Sequence, residues 1–134
     1  MSDLTSAGAD LLVTWMFTTT AVTRPTTWFV ALHTGDPGED GSANEVLAAS
    51  DANYARKAVT FDDPVTDSGM VLSDAQVSWT VDAGSAGYTV THASIWDTVT
   101  GGTPLMKGAL LVPRTLAANG VLTFSIGEVV AALD

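Results

Sequence analysis

No cysteine occurs anywhere in the 134-residue chain. That one absence removes a disulfide framework, a thiolate metal site and a cysteine nucleophile together. Bases are scarce as well: five Lys and Arg stand against fifteen Asp and Glu, for a formal net charge of -10. A surface this acidic repels phosphate backbones, so nucleic acid is not an expected partner. The same acidity keeps a chain soluble at high concentration. Long hydrophobic runs are missing too. The longest, LLVTWMF from Leu11 to Phe17, falls far short of the ~20 residues that cross a bilayer, so no membrane partner is expected. The opening MSDLTSAGAD has no positive n-region and carries Asp3, which reads as a soluble protein made in a cytoplasm. Charge of either sign is thin: 15% of residues are charged, against the ~25% of ordinary globular domains.

What fills the chain instead is apolar and small. Hydrophobic residues make up 46%, with much Thr, Ser and Ala beside them, a balance that fits a chain burying part of its surface against neighbours. The length suits one domain with a real core. Leu4, Ala7, Leu11, Leu12, Trp15 and Met16 recur at helical spacing, with Ser2 or Thr5 as cap and Asp3 and Asp10 near the positive end. The run TTTAVTRP ends this helix, because β-branched residues are poor helix formers and Pro25 cannot continue it. The stripe predicts a helix that either covers one side of the core or docks a neighbour. Residues 1–24 thus form a helix and linker packed on a β domain of residues 25–134.

Strand patterning takes over from there. Thr26 to His33 is apolar on both faces and predicts a central strand buried on both sides. The following TGDPGEDGSANE predicts a long exposed loop. Tyr54 to Phe61 is the next strand. In Ala75 to Val81, the residues Ala75, Val77, Trp79 and Val81 face in and Gln76, Ser78, Thr80 and Asp82 face out. Trp79 is expected to be buried, facing Trp28 or Phe124 across the sandwich. Tyr88 to Trp96, Leu105 to Leu111 and Val121 to Ile126 follow, with PRTLAANG separating the last two, and VVAALD either completes a strand or frays. Short strands punctuated by Gly, Pro and Asp turns predict a mainly β fold: an antiparallel β-sandwich or jelly-roll-like barrel with an N-terminal helix. The absence of helical patterns between the strands disfavours a parallel βαβ sheet.

Catalytic patterns are absent. There is no G-x-S-x-G elbow, no P-loop and no H-E-x-x-H, so the chain reads as no enzyme and as needing no cofactor. His33 and His92 both lie in strand patterns; they can meet across a sheet, but a metal needs a third ligand, and two hydrogen-bonded strand histidines is the plainer reading. Asp36, Glu39, Asp40 and Glu45 share a Gly-containing loop whose spacing is not that of an EF-hand, so a solvated acidic loop outweighs a calcium site. Asp62 and Asp63 read as turn chemistry. The four tryptophans read as core, with Trp96 the least regular and, beside Tyr88, the candidate for a glycan platform. The stretch from Thr34 to Ala52 holds five acids and no base. It is expected outside the core, ordered by a neighbouring subunit more than by its own contacts, so that shortening Gly38 to Ser42 leaves the isolated domain's stability nearly unchanged.

Several strings resemble a known family. Trp28-Phe29-Val30-Ala31-Leu32-His33-Thr34-Gly35-Asp36-Pro37-Gly38 resembles "YVALHTADPG" of a family of small tailed-phage virion proteins. Asn44-Glu45-Val46 resembles its "NEV", and Tyr54-Ala55-Arg56-Lys57-Ala58-Val59-Thr60-Phe61 its "YARQAVTF". Val90 to Asp97 resembles "VTHFGIFD", with Ala93-Ser94 in place of Phe-Gly, and Gly101-Gly102 with Leu105 and Gly108-Ala109-Leu110 resembles "GGNLLYSGAL". The likeness runs from Leu11 onward and implies a virion structural protein, assembled in the host cytoplasm, with no catalytic residues. Members are described as tail fibre, capsid decoration or head-fibre proteins. The compact chain, with no fibrous repeat, favours capsid decoration, with the major capsid protein as partner. The alternative is a tail or tail-fibre-associated protein, with or without a glycan-binding role. Either way a homo-oligomer is expected, a trimer first. Leu4, Leu11, Asp36, Glu39, Asp40 and Glu45 are the candidate partner contacts.

Overall fold

A computed structural model describes Met1 and residues 3–133. The elements, in order, are β1 (Asp3–Leu4), α1 (Ser6–Phe17), β2 (Trp28–His33), β3 (Lys57–Val59), β4 (Met70–Leu72), β5 (Val77–Thr80), β6 (Tyr88–Trp96), β7 (Pro104–Leu116), β8 (Val121–Phe124) and β9 (Val130–Ala132). The fold is mainly β and antiparallel with one N-terminal helix. A five-stranded sheet has the order β1-β7-β6-β2-β3, and two ribbons, β4-β9 and β5-β8, accompany it.

Alternation explains the layers. In the register of β2 on β6, Val30 lies opposite Ile95 and Leu32 opposite Ala93, so these four share one face. That face meets Val77 and Trp79 of β5 and Leu122 of β8 in the apolar core, which also takes in Val46, Val59, Val90 and Val129. The other face of the same strands carries Ala31, His33, Ser94 and Trp96, all buried as well. A central strand buried on both sides is therefore what Thr26 to His33 becomes, from Trp28 on. Trp79, 2% exposed, meets Phe124 edge to face at 5.7 Å. Phe124 sits on the adjacent strand of the same ribbon, not across the layers, and Trp28 pairs with Phe61 instead.

Several expectations need correction. Ala75 is exposed and precedes β5. The strand expected over Tyr54 to Phe61 contracts to β3, because Tyr54 and Arg56 turn their side chains toward the preceding loop. β4 was not anticipated and is completed by the tail strand β9. β7 does not stop at Leu111. It continues through Pro113 to Leu116, because the pairing shifts: Val90 pairs with Arg114 but His92 with Ala109. Four residues, Leu110 to Pro113, thus oppose Thr91 alone, a bulge that throws Leu111 fully into solvent.

The helix departs most. Thr5 caps it, its hydroxyl accepting from Gly8 N at 3.1 Å and donating to Pro104 O at 2.5 Å; Ser2 lies outside the described residues. Leu4 belongs to β1, not to the helical stripe, and pairs with Met106. Gly8 is the helix's one buried residue, and a Cβ there would stand 2.1 Å from Leu105 O. Close approach to β7 at that turn lets the helix start on the sheet and then leave it. Trp15 and Met16 are exposed beside Val13 and Phe17, so the helix does not close one side of the core.

Candidate functional site

Two regions stand out chemically: a buried polar network behind β2 and β6, and an uncovered apolar surface on α1 and the β7 bulge.

The network begins at Glu45, which bridges antiparallel to His33 along the edge of β2. Its carboxylate accepts from Arg56 Nε and Nη2, each at 2.9 Å, and from Tyr54 Oη at 2.9 Å. Tyr54 Oη in turn accepts from Leu32 N. Arg56 Nη1 donates to the carbonyls of Thr98 and Gly101, and its guanidinium lies 3.6 Å over the Trp96 ring. The two side chains of the pair are 8% and 18% exposed, so this is a largely buried ion pair whose remaining donors are met by backbone, the arrangement that makes burial of charge tolerable. Burial raises the Glu45 pKa, but Arg56 and Tyr54 outweigh it and hold the carboxyl below its ordinary range. Burial also pushes the Tyr54 phenol up, so it stays a donor.

A second chain of bonds fixes His33. Ala43 O can only accept, so His33 Nδ1 carries the proton and donates to it at 2.8 Å. Nε2 then accepts from Ser94 Oγ at 2.7 Å, and Ser94 Oγ accepts from Trp96 Nε1 at 2.7 Å. Desolvation lowers the His33 pKa, and every bond here suits the neutral ring. His92 stands opposite His33 but bonds Thr91 Oγ1, so the pair are two separately bonded strand histidines. Asp51 forms a third anchor. It is 2% exposed and accepts from Asn53 N, Asp82 N and Tyr88 Oη at 2.8–3.0 Å. Burial raises its pKa, and these three donors together bring it below the usual value.

The loop from residue 34 on is therefore held by its own contacts, which corrects the expectation of a loop ordered from outside. Pro37 and Gly41 are buried, Ala43 N donates to Pro37 O, and Ser6 N donates to Glu39 O, so the loop also caps α1. The four acids do not converge. Asp36 and Glu39 are exposed and face Lys107 at 3.4 and 3.9 Å; Asp40 accepts from Ser42 N within its own turn; Glu45 points inward. Among the described residues no group of three or more His, Asp or Glu is placed to hold a metal ion. Trp96 is buried under Arg56 and so offers no glycan platform, and the Tyr88 hydroxyl is engaged by Asp51.

The uncovered surface has the opposite character. Val13, Trp15, Met16 and Phe17 are 54%, 68%, 55% and 76% exposed, and Leu111 and Val112 are 103% and 64% exposed. Between α1, Pro25 and the turn after β6 runs an open groove of ≈ 350 Å³ that includes Leu11 and Leu105. No helix is long and apolar enough to cross a membrane among the described residues.

A family model described as "Podophage GP4 fiber I protein gp80" matches residues 3–132. The chain belongs to this podophage fibre protein family. A search of curated proteins finds no match. The gp80 family is one of tailed-phage virion structural proteins of fibre type, which agrees with the resemblance carried by the sequence strings. Those strings now have a physical meaning in this member. His33, Glu45, Tyr54 with Arg56, Trp96 and Gly101 come from five separate strings of the resemblance and meet in one network. Sequence reasoning missed that Arg56 and Glu45 pair inside. The signal was available, since a base in an otherwise apolar strand pattern must find an acid when buried. It also missed the Leu111 bulge, which Pro113 inside a strand run foreshadows.

Proposed function

We propose that this protein is a tail-attached fibre subunit of a podophage-type virion. It assembles with copies of itself, as a trimer, and attaches through the apolar end of α1. The observation that carries the reading is that end of the helix. The core is complete without it, yet Val13, Trp15, Met16 and Phe17, set around the last turns of the helix, stay in solvent on an acidic chain. Apolar exposure of this kind marks a surface that a partner covers. The family description favours a fibre over capsid decoration and supports a structural role without catalysis. The exposed acids Asp36, Glu39 and Asp40 flank the start of α1 and are available to a basic partner surface, whereas Glu45 is not.

The test is copy number and position in purified virions. A fibre subunit is present in a few to a few dozen copies and labels at the tail. Hundreds of copies spread over the head would return the reading to capsid decoration. Trp15→Ser with Phe17→Ser should leave the isolated protein folded and remove it from virions.

A further inference from the structure

The β7 bulge and the α1 groove are complementary, and we infer that the bulge of one copy seats in the groove of the next, giving a head-to-tail contact. This rests on the proposed self-assembly and specifies its surface. The tip is Leu110-Leu111-Val112-Pro113-Arg114: Leu111 has no protein cover, Val112 little, and Arg114 is exposed and makes no ion pair among the described residues. The groove offers Ala7, Leu11, Pro25 and Leu105 as apolar wall, interleaved with three threonines and with Asp10 and Asp97. Asp97 accepts from Thr103 N, and Asp10 makes no ion pair among the described residues.

An apolar knob with one cation thus meets a hollow with an apolar wall and two anions, beside which exposed Arg24 stands between Thr23 and Pro25. Charge decides between occupants. The chain carries -10, so two copies repel unless they meet where carboxylates are sparse or met by a base. Of the five bases, Arg56 and Lys107 are engaged inside the molecule, and of the remaining Arg24, Lys57 and Arg114 it is Arg114 that lies on the apolar tip. A chain cannot fill its own groove. Leu105 lies beside the step from Ile95 to Trp96, and Leu111 lies opposite Thr91, four strand residues away. That is roughly 14 Å along the sheet, beyond side-chain reach. Tip and groove are different patches, so the contact is heterologous and closes a ring when the rotation per copy allows it.

Light scattering on the full chain tests this with two exposed-site variants, Leu111→Asp in the tip and Asp10→Arg in the groove. The wild type should be oligomeric, and each variant alone should associate more weakly by roughly 10- to 100-fold. Mixed, the two should form a one-to-one heterodimer and stop there, because only one good tip and one good groove remain. Thermal melts check that both variants fold; Leu111→Ser and Asp10→Asn replace either one that does not. A monomeric wild type, variants that assemble like the wild type, or a mixture that forms no heterodimer would overturn the inference. Virion copy number is read separately. A wild-type oligomer insensitive to both variants therefore removes this contact while leaving the fibre-subunit reading intact, and absence from virions removes that reading alone.

Discussion

Arg56 directs Nε, Nη1 and Nη2 inward, to one carboxylate and two carbonyls. Arg56→Ala would strand the Glu45 charge and uncover Trp96, and should lower stability by about 3–5 kcal/mol in urea titration. Arg56→Lys keeps the charge but not the fork, and should recover less than half of that loss. His33 sets a pH dependence whose sign follows from its environment. Its folded pKa lies below the unfolded value, so below about pH 6.5 the unfolded chain takes up a proton that the folded one refuses. Stability should therefore fall as pH drops from 7.5 to 5.5, by at most about 1.4 kcal/mol per pH unit, and His33→Gln should flatten that slope. Asp51 acts in a lower window. Its folded pKa is depressed, so its contribution is present above about pH 4 and is lost as pH falls through the folded value. Asp51→Asn should flatten that acid limb. Little of this was legible residue by residue. Glu45 and Asp51 read as loop acids because nothing local in the chain says that Arg56 or Tyr88 will fold over them.

At the scale of elements, periodicity served where both faces of a strand were unambiguous and failed where a neighbour decided the outcome. Val77, Trp79 and Val81 are buried as their alternation implies, since a half-buried strand encodes its own inward face. The stripe on α1 has the same form but no core beneath its second half. Hydrophobic spacing reports a face that will be covered, not what covers it. The seating of the helix depends on Gly8 instead. Gly8→Ala improves intrinsic helix propensity by about 1 kcal/mol, yet its methyl would collide with Leu105 O. The substitution should therefore destabilise by about 1–3 kcal/mol, read from the denaturation midpoint, the reverse of its effect in an isolated helix. The loop after β2 reverses the earlier expectation likewise. Removing residues 38–42 deletes the carbonyl that receives Ser6 N and the buried Gly41 lodged against Thr5 and Pro104, and should lower the melting temperature markedly.

For the whole molecule, the mainly β antiparallel class with an N-terminal helix was readable from strand spacing, and the family from the strings. The layer pairings were not, because they join distant segments: β1 to β7, β4 to β9 and β5 to β8. Nothing in a strand of three or four residues names its partner.

One of these pairings bears on the order of events during synthesis. Thr5 is made about a hundred residues before the carbonyls of Pro104 and Leu105 that receive its hydroxyl and amide. At about 5–20 residues per second, roughly 5–20 s pass before the first turn of α1 has anything to rest on. Until then the most apolar stretch of the chain has no seat, and its outward face, with the groove beside it, does not exist as a surface. In the proposed assembly, a polypeptide cut short before β7 would carry neither bulge nor groove and so could not pair with finished copies, which would make completeness a geometric condition for joining.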